Sequence, residues 1–277
     1  MLNRFFIEEH VRKALEEDIG FGDITTDYLT DENKFLKCEL NSRTEGVFCG
    51  KLVFETVFNI LSPLVKVTFY KNDGDLLTKN DKIADLEGPA KYILLGERVA
   101  LNYVQRMSGI ATETKKYKNA IGNYKAKIVD TRKTTPLFRA FEKYSVKVGG
   151  GSLHRFNLSD CAMLKDNHIK YAGNLTNAVN ILREHLSHAH KIEVECDTFE
   201  QVKEAIACGV DIIMSDNMTL DEMKNCVQYI AGRAIVEASG NVNLNTVANI
   251  AATGVDIISS SAIVAKANAL DLGLDCK

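Results

Sequence analysis

The chain has 277 residues, of which 45% are hydrophobic and 26% are charged, and its net charge is −3. This balance is that of a globular protein with one large or two modest domains, and the negative charge disfavours non-specific nucleic-acid binding. Acidic side chains precede any apolar run of signal length, and no stretch approaches the roughly 18 apolar residues of a membrane span. Seven cysteines without a C-x-x-C pair disfavour a disulfide framework or a zinc ribbon and favour reduced thiols. We therefore expect a soluble, cytoplasmic protein without nucleic-acid or membrane partners.

Positive charge is concentrated in residues 131–170. That window holds eight Lys and Arg residues against three acids, a net charge of +5, which leaves −8 for the rest of the chain. A basic segment in an acidic protein favours an anionic ligand, and a solvated basic face is the alternative interpretation.

The first ninety residues have the pattern of a small α+β unit, followed by a long helix. The predicted elements, in chain order, are a helix over 3–17, short strands within 35–49, a helix over Lys51–Leu61, strands over Val65–Tyr70 and Lys82–Glu87, and a helix over Tyr92–Ile121. Pro89 marks a predicted boundary, and Ser108-Gly109 could interrupt the long helix.

After residue 125, short apolar runs that end in a polar residue alternate with helical stretches. The predicted strands are Lys127–Asp130, Ala162–Lys165, Lys191–Glu195, Asp211–Asp216, Ala234–Glu237 and Asp256–Ser259. The last four end 21, 21 and 22 residues apart, the length of one βα unit, which indicates parallel strands wound in one direction. We predict an α/β fold with an open, incomplete barrel of six or seven strands. The tail Leu270–Cys276 alternates like a strand and could return to the first domain.

Charged or hydroxyl residues follow the predicted barrel strands at their carboxyl ends, where the active site of an α/β barrel lies. A single acid at such a position could merely cap the next helix, but six strands with the same feature favour a functional site. Arg132 and Lys133 leave the first strand together and offer a planar fork and a movable charge to a carboxylate or phosphate. The loop Gly149–Arg155 adds a glycine run, which can approach an anion closely, and two more cationic donors.

Two acids and two segments of small residues complete the predicted site. Glu195 and Asp216 suit a hard cation such as Mg²⁺, and they could instead stabilise an oxocarbenium ion. Glu237–Asn241 precedes a helix predicted near Asn243, and this segment and Ser259–Ala262 are candidate phosphate sites. Together these residues predict a ligand with a phosphate, a metal-bound polyanion and a carboxylated partner.

Nine sequence runs, in order over nearly the whole chain, resemble motifs of the quinolinate phosphoribosyltransferase family. The runs are Glu17–Thr25, Glu97–Thr112, Asp130–Thr134, Lys143–Val146, Gly149–Arg155, Leu164–His168, Glu193–Glu195, Ser215–Asn217 and Glu237–Gly240. No single run is specific, but the ordered set is.

The resemblance implies an N-terminal α/β sandwich over residues 1–110, to which the tail 268–277 could return, and a barrel over 111–267. It implies a homodimer, or a hexamer built as a trimer of dimers. It also implies that quinolinate N1 attacks C1 of phosphoribosyl pyrophosphate, with Mg²⁺ on the pyrophosphate, while the 2-carboxylate leaves as CO₂. The product is nicotinate mononucleotide, on the route to NAD.

The same resemblance implies roles for individual residues. Quinolinate carboxylates would contact Arg132, His154, Arg155 and Lys165, with Arg98 supplied by the neighbouring subunit. Lys133, Lys165, Glu195 and Asp216 would be catalytic, and Glu195 and Asp216 would face the ribose and the metal. The further substrate-binding residues are Thr131, His168, Ser239, Gly240, Asn241, Ser259, Ser260 and Ser261.

One segment departs from the family pattern, which has Ser-Val-Gly-Ala-Leu-Thr-His near the last strand. This chain has Ser261 in place of the glycine and Val264-Ala265 in place of the Thr-His pair. Three other functions remain open: a Schiff-base lyase using Lys165 or Lys133, a related transferase or molybdenum-metabolism relative with another acceptor, and a non-catalytic phosphosugar-binding module.

Overall fold

The computed structural model describes residues 2–31 and 34–277, which contain both helices and strands. The helices are α1 (Arg4–Ile19), α2 (Thr26–Leu29), α3 (Lys51–Leu61), α4 (Ala90–Ile121), α5 (Arg139–Val148), α6 (Asp166–Ala172), α7 (Leu175–His185), α8 (Phe199–Ala207), α9 (Leu220–Ile230), α10 (Val247–Ala251) and α11 (Ala262–Ala265). The strands are β1 (Phe35–Ser42), β2 (Gly46–Val47), β3 (Lys66–Phe69), β4 (Leu76–Leu77), β5 (Lys82–Pro89), β6 (Lys127–Val129), β7 (Ala162–Leu164), β8 (Ile192–Cys196), β9 (Ile212–Asp216), β10 (Ile235–Ser239), β11 (Ile257–Ser259) and β12 (Leu272–Cys276). Among the described residues, no helix is both long and apolar enough to cross a bilayer.

Contacts divide the chain into two compact units. Unit 1 comprises the residues up to Lys115, Pro136–Gly150 and Ala267–Lys277. Unit 2 comprises Lys116–Thr135 and Gly151–Lys266. The tail therefore groups with the first unit, and so do residues 111–115 and 136–150, which lie within the predicted barrel range of 111–267.

The segment 136–150 groups with unit 1 because its aromatic side chains pack there. Phe138 and Phe141 stack with ring centroids 4.8 Å apart, and the Phe141 ring lies 4.7 Å from that of His10 and 5.4 Å from that of Tyr103. These rings are separated by up to 131 positions in the chain, so local sequence pattern does not reveal their contact.

Unit 1 is built on an antiparallel sheet with the strand order β12-β1-β5-β3. Its core contains the fully buried rings of Phe54 and Phe58, which meet edge to face with centroids 5.1 Å apart. Burying side chains of this size stabilises the fold by roughly 1.5–3 kcal/mol each. The apolar face of α3 supplies both rings, as its helical spacing predicts.

Helix α4 runs for 32 residues without the interruption considered at Ser108-Gly109. Both residues instead serve close contacts within unit 1. The Ser108 hydroxyl accepts from the backbone N–H of Cys49 at 2.9 Å. A Cβ at Gly109 would lie 1.9 Å from the backbone oxygen of Asn268, so only glycine admits the returning tail at this distance.

A disulfide joins Cys38 of β1 to Cys276 of β12. The expectation that all thiols are reduced was therefore wrong for this pair. These residues are 238 positions apart, but antiparallel pairing sets them opposite each other in register. Cysteine spacing along the chain contains no information about this contact. The other cysteines are free thiols.

Unit 2 contains a parallel sheet with the strand order β6-β11-β10-β9-β8-β7. All six predicted barrel strands are present, which confirms the predicted α/β fold with a six-stranded parallel sheet. Among the described residues the edge strands β6 and β7 do not pair with each other, so the sheet stays open. Because the strands are parallel, their carboxyl ends meet at one edge.

Candidate active site

Two adjoining pockets lie at the carboxyl edge of the unit 2 sheet. The first, here called the cationic pocket, has a volume of about 420 Å³. It is lined by Thr131, Arg132, Lys133, His154, Arg155, Met163, Lys165, Glu195, Met214, Asp216, Ser239 and Ser259. The second, here called the hydroxyl pocket, has a volume of about 390 Å³. It is lined by Thr131, Lys133, Asp216, Asn217, Ser239, Gly240, Asn241, Val242, Ser259, Ser260, Ser261, Ala262 and Lys266.

The strand-end acids do not cap helices. Helix α8 is capped by Thr198, whose side chain accepts from the N–H of Gln201, and helix α9 is capped by Thr219, which accepts from the N–H of Glu222. Each threonine follows its strand-end acid by three residues, so Glu195 and Asp216 are left to face the pocket. The capping alternative therefore fails for both acids.

Each of these acids has a polar partner among the residues that line the two pockets. The Lys165 ammonium donates to the Glu195 carboxylate, and the Asn217 side-chain amide donates to Asp216 at 2.6 Å. The Lys165 nitrogen is thus engaged with an acid of the same pocket. A Schiff-base nucleophile needs its nitrogen free to attack a carbonyl, so this contact disfavours the lyase hypothesis.

Arg155 is held in a fixed direction at the wall of the cationic pocket. One guanidinium nitrogen donates to the backbone oxygen of Cys161 at 2.8 Å, and another lies 3.5 Å from the Met163 sulfur. Four cations and two acids line this pocket, so the net charge of the lining residues is positive. Such a lining favours an anion with more than one carboxylate.

The hydroxyl pocket is formed by two backbone turns after β10 and β11. The Ser260 hydroxyl accepts from the N–H of Ala262 at 3.2 Å, which fixes the second turn. The helix predicted near Asn243 begins only at Val247, because residues 243–246 form a turn closed by Asn243 N–H and the Thr246 hydroxyl at 3.0 Å.

Gly240 is required by the shape of the hydroxyl pocket. Its φ is +90°, a conformation that side chains disfavour, and a Cβ here would lie 2.1 Å from the Asn217 side-chain oxygen. Asn217 cannot easily withdraw, because its amide is bonded to Asp216 and its oxygen accepts from Asn241 at 3.3 Å. The glycine therefore lets the two strand ends approach each other.

His154 lies at the floor of the cationic pocket, with both ring nitrogens engaged. Its Nδ1 accepts from the backbone N–H of Arg155 at 2.7 Å. Its Nε2 lies 3.5 Å from Glu193 Oε1 and 3.4 Å from Glu237 Oε1. Burial lowers the pKa of the imidazole, but the two carboxylates outweigh this effect and raise it. Burial likewise raises the pKa of Glu193.

Only part of the basic segment 131–170 reaches the pockets. Arg132, Lys133, Arg155 and Lys165 line the cationic pocket. Arg139, Lys143 and Lys147 belong to α5 in unit 1, and Lys170 pairs with Asp166 at 3.1 Å. The charge count alone therefore overstated the basic site.

Three features singled out from the sequence lie outside the lining of both pockets. Arg98 is an exposed residue of α4 in unit 1. The His168 ring accepts from the backbone N–H of Lys165 at 3.0 Å, which fixes the start of α6. Gly149 packs against α4, where a Cβ would lie 2.4 Å from the Ala111 oxygen. Its glycine character serves helix packing rather than an anion.

Three residues at or near the pockets were missing from the predicted site. Lys266 lines the hydroxyl pocket but lies beyond a strand end without a pattern of its own. Asn217, which lines the same pocket, and Glu193, which faces His154, were quoted only within motifs. Glu193 lies two residues before Glu195 on β8, and the two-residue period of a strand places both on one face, so the sequence did contain a signal for it.

Comparison with known proteins covers nearly the whole chain. Residues 23–108 match the family model for the quinolinate phosphoribosyl transferase N-terminal domain, and residues 110–275 match that for the C-terminal domain. A probable carboxylating nicotinate-nucleotide pyrophosphorylase of Bacillus subtilis is 40% identical over 275 residues, which cover 99% of this chain and 92% of the relative. A protein of the same description from Synechocystis is 42% identical over 271 residues, covering 97% and 92%.

A solved structure shares the same fold over the full chain. NadC from Streptococcus pyogenes superposes with a TM-score of 0.96 at 39% identity, and the match covers 100% of this chain and 99% of that one. At this identity the likeness extends beyond fold to sequence.

Proposed function

Because the chain belongs to the quinolinate phosphoribosyltransferase family, whose enzymes act in NAD biosynthesis, we propose that its two pockets hold quinolinate and phosphoribosyl pyrophosphate side by side. The pyridine nitrogen attacks C1 of the ribose, and pyrophosphate leaves with the C1–O bonding electrons. The carboxylate at C2 then leaves as CO₂, and a proton takes its place. The products are nicotinate mononucleotide, pyrophosphate and CO₂.

The observation that carries this proposal is the convergence of Arg132, Arg155 and Lys165 on one pocket. Quinolinate bears two adjacent carboxylates, which three converging cations can bind with charge-assisted hydrogen bonds. Bond formation makes the ring nitrogen positive, and this charge stabilises the carbanion that decarboxylation leaves at C2. Catalysis then consists mainly of positioning and of electrostatic stabilisation of the ribosyl oxocarbenium ion.

The hydroxyl pocket suits the phosphorylated sugar. Ser239–Asn241 and Ser259–Ser261 would hold the 5′-phosphate, and Lys266 adds a cation to the same pocket. Thr131 and Lys133 line both pockets, so they can contact the sugar where the two substrates meet. The family departure is compatible with this role, because Ser261 lines the pocket while Val264 is buried and absent from the lining.

Glu195 and Asp216 fit a Mg²⁺ ion that also binds substrate oxygens. Both present hard carboxylate oxygens toward the cationic pocket, which Mg²⁺ prefers. The cluster of three metal-ligating side chains found among the described residues is a different one, His154, Glu193 and Glu237. Glu195 and Asp216 would therefore leave most coordination positions to pyrophosphate, ribose hydroxyls and water. The ion would neutralise charge on the departing pyrophosphate.

The proposed assembly is a homodimer, alone or within a hexamer, located in the cytoplasm. Arg98 is exposed on α4, and it would complete the quinolinate site of the partner subunit. Exposed apolar side chains in the same unit, Phe21, Ile24, Tyr28 and Leu29, provide surface that association would bury.

Mass spectrometry of the reaction products tests the proposal directly. The enzyme is incubated with phosphoribosyl pyrophosphate, Mg²⁺ and quinolinate labelled with ¹³C in the 2-carboxylate. We expect unlabelled nicotinate mononucleotide and labelled CO₂ in equal amounts. Labelled mononucleotide, or no product from this pair of substrates, would contradict the assignment. Borohydride added during turnover should trap no adduct on Lys165.

A further inference from the structure

Two buried acids lie beneath the cationic pocket, and the proposed reaction does not use them. The side chains of Glu193 and Glu237 are 1% and 4% exposed. Within the described part of the chain, neither Oε1 atom has a hydrogen bond of normal geometry. Burying a carboxylate without full hydrogen bonding costs folding free energy. Packing alone therefore does not explain why two acids occupy these positions.

Both acids face a single group, the Nε2 atom of His154. The distances, 3.5 and 3.4 Å, are nearly equal, so the ring nitrogen lies between the two carboxylates rather than against one of them. The Arg155 N–H bond to Nδ1 requires a lone pair there and favours the neutral ring, whereas the carboxylates favour the cation. Both influences agree on a proton at Nε2, the nitrogen that faces the acids.

His154 connects this buried pair to the residues of the pocket. Its own backbone N–H donates to Asp130 Oδ1 at 2.8 Å. Asp130 directly follows β6 and lies two residues before Arg132. Its Nδ1 holds the backbone N–H of Arg155. One imidazole thus fixes the backbone direction at which the Arg155 side chain leaves the loop.

We propose that Glu193 and Glu237 are positioning residues that, by holding His154 between them, fix Arg155 for the quinolinate carboxylates. This inference rests on the proposed quinolinate site. Neither acid lines the cationic pocket or the hydroxyl pocket, so neither contacts a substrate directly. They act on the geometry of the acceptor pocket through His154.

The test compares Glu193→Gln, Glu237→Gln and the double variant with the wild type in steady-state kinetics. Each substitution keeps the side-chain size and removes the charge that holds His154. We expect the KM for quinolinate to rise about 10- to 100-fold, the range that a small misplacement of a binding group produces. The KM for phosphoribosyl pyrophosphate should stay near the wild-type value, which separates a loss of acceptor positioning from general damage to the site.

Ser215→Ala is the matched control. Ser215 is also a buried polar residue of this sheet, but it alternates with the pocket-lining residues Met214 and Asp216 and so points to the other face. Its loss should leave both KM values unchanged. If the wild type converts quinolinate while both Gln variants keep the wild-type quinolinate KM, the positioning role is wrong and the proposed function stands. If the wild type makes no nicotinate mononucleotide, the proposed function itself fails.

A spectroscopic measurement on the wild type covers the case in which the Gln variants do not fold. In ¹⁵N-histidine spectra, with the His154 signals identified by their loss in His154→Asn, Nε2 should carry a proton from pH 6 to pH 8. An unprotonated Nε2 would overturn the inference. So would metal analysis showing one ion per chain in the wild type that both Gln variants lose, because the three side chains would then be a metal site.

Discussion

The two units of the chain differ in how their buried acidic side chains are partnered. Unit 1 has a large hydrophobic core, and the buried acid Glu142 in this unit is paired with Arg106 at 2.9 Å. In unit 2, strands β8 and β10 carry the buried acids Glu193 and Glu237, whose Oε1 atoms have no normal hydrogen bond to any residue that the structure describes. The buried acid of unit 1 thus has a charged partner, as buried polar groups usually do, whereas the two buried acids beneath the pockets of unit 2 are incompletely hydrogen-bonded. Such departures are expected at functional sites.

Removing the divalent cation should have the largest effect, and it should act on unit 2 alone. If Mg²⁺ completes the site at Glu195 and Asp216, excess EDTA abolishes product formation, and added Mg²⁺ or Mn²⁺ restores it. The thermal unfolding curve of the substrate-free enzyme should not change, because most coordination positions of the ion are left to the substrate and to water. Product formation that continues at full rate in EDTA would show that the reaction needs no divalent cation.

A core substitution in unit 1 should show the reverse behaviour. Phe54→Ala removes a fully buried ring that contacts Phe58 and Phe69, and it should lower the free energy of unfolding by ~3–5 kcal/mol. Urea unfolding measures this loss. The quinolinate KM of the remaining folded enzyme should match the wild type, and a large change in KM would show that the two units are not independent in this sense.

Subunit mixing sharpens the comparison by asking whether unit 1 supplies a residue to another chain's site. Arg98→Ala and Lys133→Ala should each lose nearly all activity. Re-annealed together, about half the dimers are mixed and half of their sites are intact, so activity should approach roughly a quarter of the wild type. Verified exchange of subunits without any recovery of activity would place Arg98 outside the partner's site.

Gly240→Ala should have the smallest effect. The added Cβ would collide with Asn217, so we expect the KM for phosphoribosyl pyrophosphate to rise by roughly tenfold, at a strain cost of ~1–3 kcal/mol. Gly254→Ala is the control, since Gly254 has a similar φ of +92° but its nearest neighbour, a Val227 methyl, is 3.3 Å away. Equal KM changes in both variants would attribute the effect to backbone strain rather than to the pocket.

The sequence predicted the parts of this molecule that repeat. All six parallel strands were identified from apolar runs, because a βα unit has a fixed length and a polar strand end. Lys165, Glu195, Asp216, Ser239 and Ser259 were placed at the carboxyl edge for the same reason, and all line the pockets. The family identified from the nine motifs is confirmed by the matching family models.

Contacts between distant segments could not be predicted in this way. The Cys38–Cys276 disulfide depends on which strands become neighbours, and the packing of Phe138 and Phe141 beside His10 depends on tertiary structure. The contact of His154 with two acids from different strands also depends on tertiary structure and could not be predicted from local sequence. The roles of the individual site residues stay predictions that only binding and kinetics can test.

Calorimetric titration of quinolinate tests the central claim, that the cationic pocket of unit 2 recognises two adjacent carboxylates. Wild-type enzyme should bind quinolinate more tightly than nicotinate, because the single carboxylate of nicotinate leaves pocket cations without a partner at a cost of ~1–3 kcal/mol. Arg155→Ala should remove most of that preference without lowering Tm. Equal affinity of the wild type for the two acids, or a preference that Arg155→Ala leaves intact, would contradict the account.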